Sequence, residues 1–273
     1  MCCAIMSSRS NPVLNRTALL FSLALLTAAC GGGGAASAPV GAPPAAPPTP
    51  APADISVLMM GNSHTAFHSL PDTLAAMSAG KPGKTVSVVT APGWLFLDER
   101  LAHAPSMAML GSQRWSFVIL QAQKYSSSGL FTYSTVEAEQ LIGMARTASA
   151  VPILFPEWPR LGVDETQRIY DLHASIARKA PACVAPIGQA WDRALARYPG
   201  LTLHDPDGNH SAPAGSFLAA LVLYATVSGN SPATLPMLPI TGVDADTQDK
   251  LRFIAAETVL AVAPRALCPN DPV

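Results

Sequence analysis

Residues 57–67 read "VLMMGNSHTAF", an apolar run that stops at a glycine, an amide and a hydroxyl. The uninterrupted apolar stretch 57–60 is typical of a strand that is covered on both faces of a sheet, because a half-exposed strand would alternate with polar residues. Ligands of parallel sheets bind beyond the carboxyl ends of the strands. Ser63 is therefore expected at such an edge, either as a nucleophile or as a cap of the following helix.

The chain after this stretch alternates strand-like and helix-like segments. Further apolar runs lie at 85–93, 116–123, 151–158 and, more weakly, 183–187. Helical patterns lie at 134–149, where Ser134 and Glu137 have capping-box spacing, and at 164–180, 216–227 and 246–263. The run at 216–227 is apolar on every side and too short to span a bilayer, which indicates a buried core helix. This alternation predicts an α/β fold of three layers, with a parallel central sheet flanked by helices.

Charge and the N-terminus limit the possible partners. The 273 residues are 13% charged with a formal net charge of -1, which gives no electrostatic basis for binding nucleic acid. Arg9 and Arg16 precede a short apolar segment, 17–29. This pattern of positive charge followed by an apolar segment predicts a signal peptide at 1–29.

Cys30 follows "LTAA", an arrangement similar to the lipobox of bacterial lipoproteins, in which the cysteine is lipidated. An ordinary signal peptide cut near Ala29 is the alternative. Residues 31–53 are almost wholly Gly, Ala and Pro and predict a semi-extended tether. The predicted organisation is thus a signal peptide (1–29), a lipidated cysteine with its linker (30–53) and one domain (54–273). It predicts a bacterial envelope protein, periplasmic or at the outer membrane, that contacts the membrane through its lipid.

Two cysteines remain in the predicted domain, Cys183 and Cys268. Disulfides persist in an exported protein, but the sequence alone does not give the distance between two cysteines, so a disulfide and two free thiols both stay open. The pair lacks the spacing of a metal site.

A second polar segment, "HDPDGNHSA" at 204–212, contains Asp207 and His210 three positions apart. A carboxylate at this spacing could accept a hydrogen bond from one imidazole nitrogen and leave the other nitrogen facing a serine, as a catalytic triad requires. The segment is also good turn sequence. A third reading takes His204, Asp207 and His210 as zinc ligands.

Together, Gly61-Asn62-Ser63 and Asp207-x-x-His210 resemble the first and last blocks of the SGNH/GDSL hydrolase superfamily, although that family's first block has Asp in place of Asn62. The resemblance covers nearly the whole predicted domain. It implies an SGNH/flavodoxin-like fold and a catalytic triad of Ser63, Asp207 and His210.

The resemblance also implies an oxyanion hole. Its donors would be the backbone N–H groups of Ser63 and Gly93 and the side-chain amide of Gln121. Gln123 is the alternative amide, because "LQAQK" stands where the family has Gly-x-Asn-Asp.

The resulting functional prediction is a serine hydrolase of carboxylic ester bonds that needs no cofactor or metal. Its substrates would be small acyl esters, including O-acetyl groups on glycans. An acyltransferase of the same fold and a non-catalytic binding lipoprotein of the envelope are the alternatives. Trp94 and Trp158 could floor the site or pack in the core, and His64 is interpreted as structural.

Overall fold

The computed structural model describes residues 53–79 and 85–272. The predicted signal peptide, Cys30 and nearly all of the linker lie outside these residues. The strands are β1 (Ile55–Met60), β2 (Val86–Thr90), β3 (Phe117–Leu120), β4 (Val151–Leu154) and β5 (Cys183–Val184). The helices are α1 (Ser63–Ala66), α2 (Leu70–Ser78), α3 (Leu97–Arg100), α4 (Ala104–Leu110), α5 (Val136–Thr147), α6 (Thr166–Lys179), α7 (Ile187–Arg197), α8 (Pro213–Ser228) and α9 (Ala245–Ala261). Short 3₁₀ turns occupy Phe67–Ser69 and Pro232–Thr234.

The five strands form one parallel sheet in the order β2-β1-β3-β4-β5, as predicted. The strands β2 to β5 are shorter than their apolar runs, because the last residues of each run lie outside the sheet, whereas β1 begins two residues before the stretch 57–60 and ends with it. The chain moves from β1 to β2 on one side and then returns to β3 on the other side of β1. The order therefore reverses at the end of β1, which is where ligands bind in open sheets of this kind.

Helices cover both faces of the sheet and complete the predicted three layers. Val57 and Met59 pack with α2, α7, α8 and α9, whereas Leu58 and Met60 pack with α3, α4, α5 and α6. This double covering explains why β1 is apolar at every position. Every residue of α8 from 214 to 228 is buried, as expected for a helix that is apolar on all sides. Among the helices that the structure describes, none has the length and apolarity needed to cross a bilayer.

The structure corrects one prediction from the sequence and decides one question that the sequence left open. Ser134 and Glu137 do not form a reciprocal capping box, because the Ser134 hydroxyl donates to the Glu137 carboxylate at 2.6 Å and α5 begins later, at Val136. Cys183 and Cys268, left open by the sequence, form a disulfide with their Cα atoms 5.0 Å apart.

The C-terminal segment lies along the outer edge of β5. The N–H of Val184 donates to the carbonyl of Pro264 at 2.9 Å, next to the disulfide. Arg146 of α5 forms two hydrogen bonds with the carboxylate of Asp271, at 2.8 and 2.9 Å. These contacts connect the end of the described chain to the sheet and to α5.

Candidate active site

Ser63 begins α1 three residues after the last residue of β1, at the edge where the strand order reverses. The turn is fixed by its neighbours. The Asn62 N–H donates to the side-chain oxygen of Gln121 at 2.8 Å, and the Asn62 side chain accepts from the N–H of His64 at 3.1 Å. A Cβ on Gly61 would lie 2.3 Å from the Gln121 oxygen, so the position has no room for any other residue. The sequence pattern of glycine, amide and hydroxyl is thus a tight, capped turn that presents Ser63.

The structure brings the three predicted triad side chains together. The Ser63 hydroxyl lies 2.8 Å from Nε2 of His210, and Nδ1 of His210 lies 2.5 Å from Oδ2 of Asp207. In the tautomer that satisfies both contacts, Ser63 donates to His210 and His210 donates to Asp207. The other Asp207 oxygen accepts from the N–H groups of Asn209 and His210, each at 2.9 Å. These hydrogen bonds, that of the His210 ring above all, hold the pKa of Asp207 well below its usual value, so the carboxylate is charged.

Aromatic rings hold the imidazole and its loop in position. The His210 ring stacks on Phe67, with ring centroids 4.0 Å apart and an angle of 8° between the planes. The indole N–H of Trp158 donates to the carbonyl of Asn209 at 2.9 Å, and Trp158 itself is buried and stacked on Trp191. Trp158 therefore anchors the loop to the core rather than flooring a site, whereas Trp94 is 67% exposed.

His64 lies buried beside the triad. Its ring centroid is 5.1 Å from that of His210 and 5.0 Å from that of Trp158. Burial, and then the neighbouring His210, lower the pKa of His64 to about 4. His64 is therefore neutral at neutral pH, and its Nδ1 lies 3.2 Å from the side-chain oxygen of Asn62. This placement accords with the structural interpretation of His64.

The predicted oxyanion donors differ in whether their N–H groups are already hydrogen-bonded. Gly93 lies in an exposed turn with φ of +80°, and its N–H has no hydrogen-bond partner within 53–79 and 85–272. Gln121 is fully buried, with its oxygen bonded to Asn62 and its nitrogen donating to the Glu157 carboxyl at 2.5 Å. The Gln121 amide thus connects two strand ends behind the site, and this geometry does not support its predicted role as an oxyanion donor. Gln123 lines the cavity beside Ser63, but its nitrogen donates to two backbone carbonyls at 2.9 and 3.0 Å.

A cavity of about 430 Å³ opens beside Ser63 and His210. Its walls carry the aromatic rings of Phe96, Tyr125 and Tyr133 together with polar side chains. Two cationic side chains, Lys124 and Arg160, also line it, and Lys124 forms an ion pair of 2.6 Å with Asp98.

Glu157 lines the same cavity and was not identified from the sequence. Burial raises the pKa of its carboxyl to about 7, although the hydrogen bond from Gln121 acts in the opposite direction. The available signal was a lone acidic residue near the end of the otherwise apolar run 151–158, in "LFPEW". A charged residue at that place is expected near a site, because the carboxyl ends of parallel strands meet at one edge.

The zinc reading of the 204–212 segment does not agree with the geometry. Nε2 of His204 lies 2.8 Å from the carbonyl of Pro159, so this ring nitrogen is directed away from Asp207 and His210. In the described part of the chain, the group of side chains close enough to share a metal is Cys183, Cys268 and Asp271. Both of its sulfurs are in the disulfide.

A serine, a histidine and a carboxylate in hydrogen-bonded sequence form the arrangement that serine hydrolases use on several folds. No protein-family model matches the sequence. No curated protein matches it either.

Solved structures do match. A protein from Slackia heliotrinireducens assigned to the SGNH hydrolases is 27% identical, with a TM-score of 0.50 over 62% of this chain and 97% of its own. A DUF4886 family protein from Bacteroides uniformis is 16% identical, with a TM-score of 0.60 over 76% of this chain and 95% of its own. The acetylxylan esterase Axe2 from Geobacillus stearothermophilus is 13% identical, with a TM-score of 0.48 over 64% and 95%. The Slackia heliotrinireducens structure confirms the resemblance to the SGNH hydrolases and supports a hydrolase as the general class. The Bacteroides uniformis structure shows the same fold.

Proposed function

We propose that this protein is a serine esterase that hydrolyses small acyl esters with Ser63, His210 and Asp207 as its catalytic triad. The observation that carries the proposal is the continuous hydrogen-bonded path from the Ser63 hydroxyl to Nε2 of His210 at 2.8 Å and from Nδ1 to Asp207 at 2.5 Å. Nucleophilic serine needs a base within this distance, and the base needs an orienting partner.

The mechanism follows from these contacts. His210 accepts the Ser63 proton while the Ser63 oxygen attacks the ester carbonyl, and the charged Asp207 stabilises the imidazolium that forms. The N–H groups of Ser63 and Gly93 donate to the developing oxyanion. His210 then protonates the leaving alcohol, and a water molecule releases the acyl group by the same sequence of proton transfers.

The cavity supports a polar, compact substrate. About 430 Å³ lined by hydroxyl, amide and charged groups suits a small acyl group on a hydroxyl-rich alcohol better than a long alkyl chain. Aromatic side chains such as Phe96 and Tyr133 offer flat apolar surfaces beside these polar groups. O-acetyl groups on glycans fit this description and are the substrates we propose.

Two further parts of the proposal concern location. We infer export to the bacterial cell envelope from the signal-like segment 1–29 and attachment to lipid at Cys30. The Cys183–Cys268 disulfide supports an oxidising compartment.

In a detergent phase-separation experiment on cells that express the full chain, the protein should enter the detergent phase and the Cys30→Ser variant should stay in the aqueous phase. Equal partitioning of the two would contradict lipidation at Cys30.

The central experiment measures hydrolysis of 4-nitrophenyl acetate and of an acetylated oligosaccharide by the full chain. Ser63→Ala and His210→Ala should each lower kcat by about 10⁴-fold or more, the range found when a triad member is removed. Ser112→Ala is the matched control, because this hydroxyl is on an exposed residue and its hydrogen bond within the described residues goes to the carbonyl of Met109. Circular dichroism verifies that each variant is folded.

The outcomes separate the candidate functions. Wild-type turnover that both triad variants lose would support the esterase. Acyl transfer to an added sugar at the expense of hydrolysis would favour the transferase of the same fold. Wild-type turnover equal to that of Ser63→Ala, with no labelling of Ser63 by a fluorophosphonate, would reject the enzyme and favour a binding protein.

A further inference from the structure

A fully buried guanidinium lies directly behind the turn that presents Ser63. Arg100, the last residue of α3, has none of its surface exposed. Its Nη1 donates to the carbonyl of Pro92 and to the hydroxyl of Ser106, both at 2.7 Å. Its Nη2 donates to the carbonyl of Gly93 at 2.8 Å and to the carbonyl of Gly61. One side chain thus binds both of the turns that carry the proposed oxyanion donors.

Burying the charge of Arg100 in this arrangement costs free energy, which is unexpected for a residue with a purely structural role. All four acceptors of Arg100 are neutral, and within the described residues no carboxylate is hydrogen-bonded to it, although the adjacent Glu99 carboxylate acts on it more weakly than burial does. Its Nε is buried without a partner, and burial lowers the pKa of the guanidinium. A buried charge without a counter-ion costs several kcal/mol, whereas an apolar side chain of similar volume would carry no such cost. A role at the neighbouring site accounts for the charge.

The contact with Pro92 determines where the Gly93 N–H points. The carbonyl of Pro92 and the N–H of Gly93 belong to the same peptide group, which is planar and trans, so the two point in opposite directions. Because Arg100 holds the carbonyl from one side, the N–H is directed away from Arg100. That N–H has no partner among the described residues and is available to a ligand. Donation to the carbonyl also polarises the peptide group and strengthens the N–H as a donor.

The contact with Gly61 fixes the second turn in the same way. The peptide group between Gly61 and Asn62 is held at its carbonyl by Arg100 and at its N–H by Gln121. Ser63 follows one residue later, after Asn62. Arg100 therefore connects a peptide group of the turn that presents the nucleophile to the peptide group that carries the Gly93 N–H.

We propose that Arg100 is the positioning residue of the oxyanion hole: by holding the carbonyls of Gly61, Pro92 and Gly93, it aims the Gly93 N–H at the oxygen that becomes charged when Ser63 attacks. The inference rests on the proposed serine hydrolase function. Arg100 does not touch the substrate, and its effect reaches the reaction through the peptide groups it holds.

The test uses Arg100→Lys in the full chain, because lysine keeps the charge but cannot hold three carbonyls in one plane. One oxyanion donor contributes about 100-fold to 1,000-fold in kcat. We expect a fall in kcat of about 10- to 100-fold with KM within about twofold, after correction for the active fraction measured by fluorophosphonate titration. Phenylboronic acid, whose boron binds the Ser63 oxygen and forms a tetrahedral adduct, should bind more weakly by the same factor as the fall in kcat/KM.

The controls keep the inference falsifiable. Arg146→Lys removes another guanidinium with several hydrogen bonds, to the Asp271 carboxylate and the Pro181 carbonyl, and should leave kcat unchanged. If Arg100→Lys does not fold, Ser106→Ala, which removes one partner of Nη1, should lower kcat about threefold or more at constant KM. An unchanged kcat and boronate affinity in these variants would overturn the inference while Ser63-dependent turnover leaves the esterase intact. Absence of Ser63-dependent turnover would overturn both.

Discussion

The two sides of the site are built in contrasting ways. On one side, the acid–base loop (204–212) is a local turn in which Asp207 and His210 contact each other three positions apart, and the Asp207 side chain is 49% exposed. On the other side, the buried network of Arg100, Gln121 and Glu157 joins strand ends that are far apart in the chain. Gln121, for example, bonds to Asn62 across 59 positions and to Glu157 across 36. The first side performs the proposed proton transfers, and the second holds the turns in place.

This contrast indicates different consequences of substitution. A change in the acid–base loop should remove activity with little effect on the free energy of unfolding, because few buried contacts are lost. A change in the buried network should affect both, because an unsatisfied buried polar group costs about 1 to 3 kcal/mol.

The largest expected effect is on the loop side, in Asp207→Asn. An amide in place of the carboxylate no longer selects the imidazole tautomer that faces Ser63, and in the known Ser-His-Asp enzymes such a change lowers kcat by about 10⁴-fold. We expect a similar fall in ester hydrolysis, with the thermal midpoint nearly unchanged. Asp205→Asn, in the same loop, is the control and should keep most of the activity. A large loss of stability in Asp207→Asn would contradict the contrast between the two sides.

A smaller effect on activity, with a clear loss of stability, is expected for Gly61→Ala. The new Cβ would lie 2.3 Å from the oxygen of Gln121 and 2.6 Å from Cγ2 of Thr65, so the Asn62–Gln121 hydrogen bond must shift. Overpacking of this kind costs about 1 to 3 kcal/mol. Urea unfolding and kcat should both report the change.

Gly143→Ala is the matched control for this substitution. Gly143 lies within α5, and its Cβ would meet nothing within 4 Å. Alanine should stabilise the helix by about 0.5 to 1 kcal/mol and leave kcat unchanged. If Gly61→Ala and Gly143→Ala changed the free energy of unfolding equally, the packing of Gly61 against Gln121 would not be rigid.

The last expected effect concerns the pH dependence of stability, through Glu157→Gln. The folded pKa of Glu157 is about 7, above its usual value of 4.5, so between these values the folded chain binds more protons than the unfolded chain. The contribution of Glu157 to stability is therefore present at low pH and is lost as pH rises through about 7. Glutamine should remove this loss, on the order of 2 kcal/mol between pH 5 and pH 8. Parallel unfolding curves for both proteins across this range would contradict the raised pKa.

The sequence allowed the local features to be predicted and left the distant ones unseen. The apolar strands, the α8 core helix and the Ser63, Asp207 and His210 segments are each contained in a short stretch, and the structure brings those segments together. The helices α2 and α7 were not identified, although α7 buries Trp191 in the core. Arg100 and Glu157 were missed because their meaning depends on partners in other loops. Gln121 was assigned to the oxyanion hole from its residue type and its place after the third strand, and the sequence could not reveal that its amide donates to Glu157.

The C-terminal segment has a consequence for how the protein avoids self-association. β5 has two residues and stands at the edge of the sheet, where unpaired backbone groups could pair with another chain. The carbonyl of Pro264 accepts a hydrogen bond from the N–H of Val184, and the disulfide joins the same C-terminal segment to the strand. The edge is thus covered by a segment that one backbone hydrogen bond and one disulfide hold in place. A chain in which Cys183 and Cys268 are reduced would hold this cover less tightly, so its open strand would be more exposed to pairing with another chain.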